Sequence, residues 1–208
     1  MLTRLKRRLL GRLAYLPYLY TKQEWDAQYA AGRWDLLRRK EEFVHHNMIA
    51  GYIRRYGAGQ SILDVGCGEG VLQEVLGSAA YEHYMGIDIA EEAIRRAGGK
   101  RDSRTDFACH DVRTFVPGHC YQTIVFNECL YYFEDPLGIA RRYEKFLNDT
   151  GVFIVSMYAE KQNRHIWKML DATYAVEDEV KITCGVGISW VIKVFRPGNR
   201  SNAGAAGG

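Results

Sequence analysis

The sequence predicts an α/β protein with a Rossmann-like, doubly wound and mostly parallel sheet of seven strands. Three observations lead to this fold. From residue 61, short Val-, Ile- and Phe-rich runs alternate with helical patterns. The first run leads into a glycine-rich turn at Gly66, Gly68 and Gly70. The last two runs follow each other without a helix between them, which predicts an antiparallel hairpin at the C-terminal end of the sheet.

The first predicted element is a basic amphipathic helix over residues 1–20. Arg4, Arg7 and Arg8 lie on one side of it, and an apolar stripe lies on the other, formed by Leu2, Leu5, Leu9, Leu13 and Leu16. Three roles stay open for this helix. It packs on its own domain, it docks through residues 1–16 on an anionic membrane surface or a partner protein, or it is a transit peptide.

Residues 21–60 are predicted to form two capping or lid helices. The stretch KQEWDAQYAAGRWDLL places Trp25, Tyr29 and Trp34 around a break at Gly32. The stretch EEFVHHNMIAGYIRRY has an apolar face and ends in two arginines, where the helix dipole favours cations.

Residues 61–197 are predicted to form the core. Its strands are SILDV, YMGIDI, TDFACHDV, YQTIVFN and GVFIVSMY, and its helices are VLQEVLG, EEAIRRAGG and LGIARRYEKFL. The stretch EVKITCGVGISWVIKVF predicts the terminal hairpin. Residues 198–208 are predicted to be a disordered tail, because they have almost nothing to bury.

Composition excludes several classes of protein. The five cysteines form no CxxC pair, which argues against a zinc site or a disulfide framework and favours a reducing, cytoplasmic location. No apolar run of about 18 residues predicts a spanning helix, although residues 1–16 leave peripheral attachment to the inner membrane face open. Five of the 28 basic residues fall within residues 1–12, so the remainder is slightly acidic and nucleic acid is an unexpected partner.

The glycine turn predicts a ligand site, because ligands of open α/β sheets bind outside the carboxyl ends of the strands. Asp88 ends the next strand, 24 residues after Asp64. That spacing suits an acid that binds a ribose and, taken alone, also fits a nicotinamide enzyme. However, the glycines are spaced Gly66-x-Gly68-x-Gly70 after an acid and do not form GxGxxG. An acid within the turn suits a ligand with a cationic group better than a pyrophosphate.

Several motifs of this chain also resemble those of a known family. ILDVGCGEG resembles the first motif of class I S-adenosylmethionine-dependent methyltransferases, and YQTIVFNECLYYF resembles the fourth. Asp88 and Asp111 match the family's ribose and adenine acids, and the ordered match spans residues 61 to about 158. EWDAQYAAGRWDLL resembles the lid of small bacterial methyltransferases of glycan and natural-product clusters, a group that includes nodulation-type N-methyltransferases. His45 and His46 stand where an Arg-Tyr pair is common there.

The resemblance implies S-adenosylmethionine as cofactor, S-adenosylhomocysteine as product and no bound metal. The implied cofactor-binding residues lie on the glycine turn, at strand ends and on the lid. They are Asp64, which orders the loop and the ammonium group, Gly66, Gly68 and Gly70 at the amino-acid end, Asp88 at the ribose, Ile89, Asp111 and Val112 at the adenine, Asn127, and Trp34 over the sulfonium.

For the acceptor, the predicted catalytic residues are Glu128 first, then His165 and Tyr131. The predicted function is methyl transfer to a small molecule or glycan unit, with a sugar hydroxyl or an amine preferred. Two alternatives stay open: a nucleic-acid or protein methyltransferase of the same fold, although the fourth motif has no Pro-Pro, and a non-catalytic partner subunit. The oligomeric state is not predicted.

Overall fold

The computed structural model describes residues 20–57 and 61–198. The predicted basic helix and the predicted tail lie outside the described residues, apart from Tyr20 and Gly198. The described helices are α1 (Lys22–Ala30), α2 (Phe43–Tyr56), α3 (Val71–Leu76), α4 (Glu91–Ala97), α5 (Pro136–Glu144) and α6 (Arg164–Thr173), with a short 3₁₀ turn at Asp35–Arg38.

The strands form one seven-stranded sheet in the order β3-β2-β1-β4-β5-β7-β6. Their bounds are β1 (Ser61–Val65), β2 (His83–Asp88), β3 (Thr105–Cys109), β4 (Tyr121–Asn127), β5 (Leu147–Tyr158), β6 (Ala175–Thr183) and β7 (Ser189–Arg196). Strands β1 to β5 are parallel, whereas β7 is antiparallel to both β5 and β6. The predicted doubly wound sheet and its terminal hairpin are therefore confirmed.

The strand order reverses between β1 and β4, which creates a crevice at their carboxyl ends. Both strands are central and apolar, so this crevice sits above the most rigid part of the sheet. Val65 and Phe126, which pair across the two strands, are fully buried. The residues that directly follow β1 and β4 are thus held in fixed positions.

The two predicted capping helices occupy different places. Helix α2 packs on the sheet beside β5 and β7, and its Ile49 and Ile53 are fully buried with Ile192. Helix α1 instead packs on α4, through Tyr29 against Ala90 and Ala93. We call α1 and the following turn, residues 22–39, the lid segment.

Local sequence fixes where α1 and α5 begin. Thr21 and Glu24 form a capping box, in which the Thr21 hydroxyl accepts from the Glu24 N–H and the Glu24 carboxylate accepts from the Thr21 N–H. Asp135 caps α5 by accepting from the Gly138 N–H at 2.8 Å, ahead of Pro136 at the first helical position. No helix within residues 20–57 or 61–198 is long and apolar enough to cross a membrane.

Candidate active site

A cavity of about 1890 Å³ lies at the carboxyl ends of β1, β2 and β4. Its wall includes the lid segment, the start of α2 and the residues that follow each strand. Most of the predicted site residues line it: Trp34, Gly66, Gly68, Asp88, Ile89, Asp111, Val112, Asn127, Glu128 and Tyr131. Asp64, Gly70 and His165 do not.

The glycine turn is held against β2 by its own backbone. The amides of Gly66 and Cys67 both donate to the Ile87 carbonyl, at 2.8 and 3.0 Å. Gly66 and Gly68 have φ values of 76° and 53°, a region in which side chains are strained. A Cβ on Gly68 would also lie 2.9 Å from the Tyr29 hydroxyl. Glycine is needed here because the chain turns left-handed directly beneath the lid.

Asp88 fastens this turn from the end of β2. Its Oδ2 accepts from the Gly68 N–H and its Oδ1 from the Ala90 N–H, both at 2.9 Å. The carboxyl is 8% exposed, and burial raises its pKa while the two N–H donors lower it. An ionised carboxylate can accept about four hydrogen bonds. Acceptor capacity therefore remains for ribose hydroxyls on the cavity side.

Asp64 and Gly70 act from behind the cavity wall rather than within it. Asp64 is 1% exposed, and its Oδ2 accepts from the Tyr84 hydroxyl at 2.5 Å, while its Oδ1 has no hydrogen-bond partner among the described residues. At Gly70, a Cβ would lie 2.8 Å from the Phe107 ring. Neither residue lines the cavity, and their predicted contacts with the cofactor stay predictions.

The buried Asp64 carboxyl should make stability depend on pH. Burial raises its pKa to about 7, against the opposing Tyr84 hydrogen bond and with a further increase from Asp88. Between about pH 4 and 7, the Asp64 carboxyl is therefore protonated in the folded state and ionised in the unfolded state. Stability from this group is present below about pH 4 and is lost as pH rises towards 7.

We therefore expect Asp64→Asn to flatten that dependence. Chemical unfolding without ligand should show the wild type losing stability between pH 4 and 7, and the variant losing less. A shift of three pKa units corresponds to about 4 kcal/mol as an upper limit. Parallel curves for the two proteins over this range would contradict the assignment.

The adenine side of the cavity contains Ile89, Asp111 and Val112. Asp111 is held by the Arg113 guanidinium, with Nε–Oδ1 at 2.9 Å and Nη2–Oδ2 at 2.5 Å, and this contact lowers the pKa of the carboxyl. The Val112 carbonyl accepts from the Tyr143 hydroxyl at 2.9 Å. Hydrogen bonds with neighbouring residues therefore hold Asp111 and Val112 in this part of the wall.

Glu128 follows β4 in a strained backbone conformation. Its φ of 53° is the only positive value of a non-glycine residue in the described ranges. Such strain persists where surrounding contacts impose it, often at functional sites. Here the carboxylate accepts from the Ser156 hydroxyl at 3.0 Å, the Tyr131 hydroxyl at 3.0 Å and the Tyr158 N–H at 3.1 Å.

Burial raises the pKa of Glu128 to about 8, although these three donors oppose the rise. Glu42 adds to it through like charge. Tyr131 contacts Glu128 and is 8% exposed, so its hydroxyl is part of this cluster.

The structure adds Glu42, His45 and His46, which lie at the start of α2 and to which the sequence assigned no role. The His46 Nδ1 donates to the Glu42 carbonyl at 2.9 Å, so its Nε2 is the atom that accepts from the Asn127 amide at 3.3 Å. The Asn127 Oδ1 is buried and has no hydrogen-bond partner among the described residues. His46 thus orients an amide oxygen at the end of β4.

His165 is not brought into the site. It lies in the first turn of α6, where it is exposed and its Nδ1 contacts the Gln162 carbonyl at 2.6 Å. The predicted role of this histidine as a base is therefore not supported by its position.

Aromatic rings of the lid segment cover the cavity. Trp25 lies 5.4 Å from Trp34 and 5.0 Å from Tyr132, and Tyr29 lies 6.0 Å from Trp34, as distances between ring centroids. Electron-rich ring faces attract cations. Trp34 is half-buried in this wall, and its predicted contact with a sulfonium stays a prediction.

Arg96 of α4 ties the lid segment to the glycine turn. Its guanidinium donates to the Tyr29 carbonyl at 2.5 Å, to Asp35 at 3.0 Å and to Glu69 at 2.6 Å. Glu69 is 5% exposed and also accepts from Arg38 of the lid at 3.1 Å. The closed position of the lid thus depends on a small polar network beside the cavity.

The described part of the chain contains no group of three or more His, Cys, Asp or Glu residues that is arranged to hold a metal ion.

Comparison with known proteins agrees with this geometry. A family model described as a methyltransferase domain matches residues 33–185. Among curated proteins, the ubiquinone biosynthesis O-methyltransferase of Neisseria meningitidis serogroup A is 23% identical over 125 residues, which cover 57% of this chain and 52% of that protein. The corresponding protein of Nitrosospira multiformis is 25% identical over 134 residues, covering 61% and 55%. The chain thus spans about half the length of the curated relatives it matches.

Solved structures show the same fold. The N-methyltransferase NodS from Bradyrhizobium japonicum WM9, in complex with S-adenosylhomocysteine, has a TM-score of 0.69 at 22% identity, covering 80% of this chain and 92% of that one. Magnesium protoporphyrin IX methyltransferase from Synechocystis PCC 6803, with bound S-adenosylmethionine, has a TM-score of 0.65 at 20% identity, covering 86% and 98%. The predicted resemblance to the class I fold is confirmed.

Proposed function

Because the chain belongs to the methyltransferase-domain family, we propose that it is an S-adenosylmethionine-dependent methyltransferase that acts on a small molecule or a glycan unit. The observation that carries the proposal is the meeting of the glycine turn, Asp88 and Asp111 in one cavity beneath the lid segment. These groups come from three different strand ends, and each is held by hydrogen bonds within the chain.

The residues present fit this cofactor. The turn at Gly66 and Gly68 leaves backbone open to the methionine end, and Asp88 retains acceptor capacity for the ribose. Ile89 and Asp111 line the adenine side, and Trp34 covers the region between. When bound, S-adenosylmethionine supplies a methyl group on a sulfonium, which is already a good leaving group. The protein then has to align the acceptor and exclude water.

The acceptor end of the cavity is rich in hydrogen-bond acceptors. The Asn127 Oδ1, held by His46, and the Glu128 carboxyl both face this end. Glu42, which is 2% exposed, also lines it. Groups of this kind bind donors, so they favour an acceptor that carries hydroxyl or amine groups. A sugar hydroxyl or an aminosugar meets that requirement.

The names of similar proteins include both kinds of acceptor atom. The curated relatives are O-methyltransferases, and NodS is an N-methyltransferase. This agreement supports transfer to oxygen or nitrogen of a small molecule over the alternatives of a nucleic-acid methyltransferase or a non-catalytic subunit.

The test uses the full chain with S-adenosylmethionine and a panel of glucose, glucosamine, catechol and a primary alkylamine. Release of S-adenosylhomocysteine measures turnover, and mass spectrometry identifies the methylated product. We expect S-adenosylmethionine to bind, NAD not to bind, and one or more panel members to gain a methyl group. Binding of NAD in place of S-adenosylmethionine would refute the cofactor. Binding without any turnover would refute the proposed acceptor class.

A further inference from the structure

His45 is a buried polar residue whose side chain has no partner of its own. It is the third residue of α2, is 1% exposed and lines the cavity. Neither ring nitrogen has a hydrogen-bond partner anywhere in residues 20–57 or 61–198. Buried polar groups are almost always hydrogen-bonded. An unpaired imidazole in a cavity wall therefore indicates that a ligand supplies the missing bond.

The ring is nevertheless held in place. It stacks on Trp190 of β7 at 4.7 Å and lies 4.1 Å from the His46 ring, as centroid distances. Its Nδ1 is 3.8 Å from the Glu42 Oε2. Because the Glu42 carboxylate lies on the Nδ1 side of the ring, Nε2 is the nitrogen that can bind a ligand. The same division is found in catalytic sites where an acid orients a histidine.

Glu128, the residue that the sequence favoured as a base, is less available. Its two oxygens already accept from Ser156, Tyr131 and the Tyr158 backbone. A group that accepts three hydrogen bonds from its own chain is suited to orienting an acceptor. The His45 imidazole, in contrast, accepts no hydrogen bond from the described residues.

Building on the proposed function, we propose that His45 is the general base that removes the proton from a hydroxyl group of the acceptor. In this step the acceptor oxygen forms a bond to the methyl carbon while the bond from that carbon to sulfur breaks. The hydroxyl proton moves to the Nε2 of His45, and the sulfonium charge is neutralised as S-adenosylhomocysteine forms. The imidazolium then gives its proton to water when the product leaves.

The surroundings keep His45 ready for this role. Burial, followed by the neighbouring His46, lowers its pKa well below the usual value for histidine, so the ring is neutral at pH 7. The titratable groups next to it are Glu42 and His46, while Trp190 carries no charge. Glu42 can stabilise the imidazolium that forms during transfer.

The role of His45 also specifies the acceptor. A hydroxyl is a weak nucleophile until its proton is removed, and a positioned base contributes about 10²- to 10⁴-fold. A neutral amine attacks without that help and loses its proton afterwards. The geometry therefore selects hydroxyl acceptors within the class proposed above.

The test compares His45→Gln with His165→Gln, a matched change at an exposed histidine outside the cavity. The probes are the hydroxyl compounds glucose and catechol, with a primary alkylamine for comparison. With a hydroxyl probe we expect His45→Gln to lower kcat at least about 100-fold. KM and the affinity for S-adenosylmethionine should stay within about threefold of the wild type. His165→Gln should behave like the wild type.

The pH profile gives a readout that a purely structural role would not change. Wild-type kcat should stay level through the pH range in which an ordinary histidine titrates and fall only below it, where His45 becomes protonated, because the pKa of His45 lies well below the usual value. This decline should be absent from the residual activity of His45→Gln. If that variant unfolds, Glu42→Gln keeps the shape of the site and should lower kcat about tenfold.

Three results would overturn the proposal. Turnover of a hydroxyl probe by His45→Gln at the wild-type rate refutes the base alone and leaves the proposed function intact. Methylation of the amine with no methylation of any hydroxyl refutes it in the same way. Failure of the wild type to methylate any probe refutes both the acceptor class and its base.

Discussion

Asp88→Ala is expected to weaken binding of S-adenosylmethionine at least about 100-fold. In the proposed complex, the change removes the two charge-assisted bonds that Asp88 would accept from ribose hydroxyls, each worth about 1.5–3 kcal/mol. It also removes the acceptor for the amides of Gly68 and Ala90, which hold the glycine turn beside β2. Both losses reduce affinity, and isothermal titration calorimetry measures their sum.

Two further variants make this result specific. Asp149→Ala removes an exposed acid of β5 outside the cavity and should leave affinity unchanged. Asp88→Asn keeps the shape and one acceptor oxygen, so it should fall between the wild type and Asp88→Ala. Equal affinity of the wild type and Asp88→Ala would remove this carboxylate from the cofactor site.

Glu128→Gln is expected to lower kcat between tenfold and about 100-fold, with little change in affinity for S-adenosylmethionine. The amide places an N–H₂ group where three donors of the protein converge, so one donor faces another. An unsatisfied buried polar group costs about 1–3 kcal/mol. The acceptor then loses a group that orients it, whereas the cofactor keeps its contacts. Single-turnover rates and calorimetry separate the two effects.

A second substitution separates strain from hydrogen bonding. Glu128→Gly relieves the backbone at a φ of 53° but removes the carboxyl. It should therefore be as inactive as Glu128→Gln, while Glu82→Gln, at an exposed acid outside the cavity, should be fully active. If Glu128→Gly keeps its turnover, the backbone conformation matters and the carboxyl does not.

The fold and the cofactor half of the site were predictable because they depend on local pattern. Asp88, Asp111 and Asn127 each stand at or just after the end of an apolar strand. Parallel strands end at the same edge of a sheet, so residues in that position must converge. The strand bounds alone were therefore sufficient to predict that these three residues lie close together.

The direction in which a side chain points was harder to predict from the sequence. Asp64 stands beside the glycine turn, yet its carboxyl is hydrogen-bonded to Tyr84 of the neighbouring strand and lies behind the wall. His165 follows a strand in sequence, but a helical turn places it on the outside of α6. Spacing along a chain does not specify which way a side chain points.

The residues at the start of α2 were missed for another reason. His45 enters the site only because α2 packs its start beside β7, where Trp190 stacks on the ring. The two residues are far apart in the chain, and neither belongs to a recognisable motif. A contact of this kind follows from packing between elements, which single-sequence patterns do not contain.

The contacts of Arg96 affect the rate at which product would be released. In many enzymes, opening of a lid and release of product limit the rate. Here one guanidinium links both parts of the lid segment to Glu69 beneath it, so an opening of this segment to release a bound cofactor would have to break these contacts. Dissolved salt weakens such partly exposed ion pairs. We therefore expect the residence time of the product to shorten as ionic strength rises. The ionic strength around the enzyme would then contribute to its turnover rate.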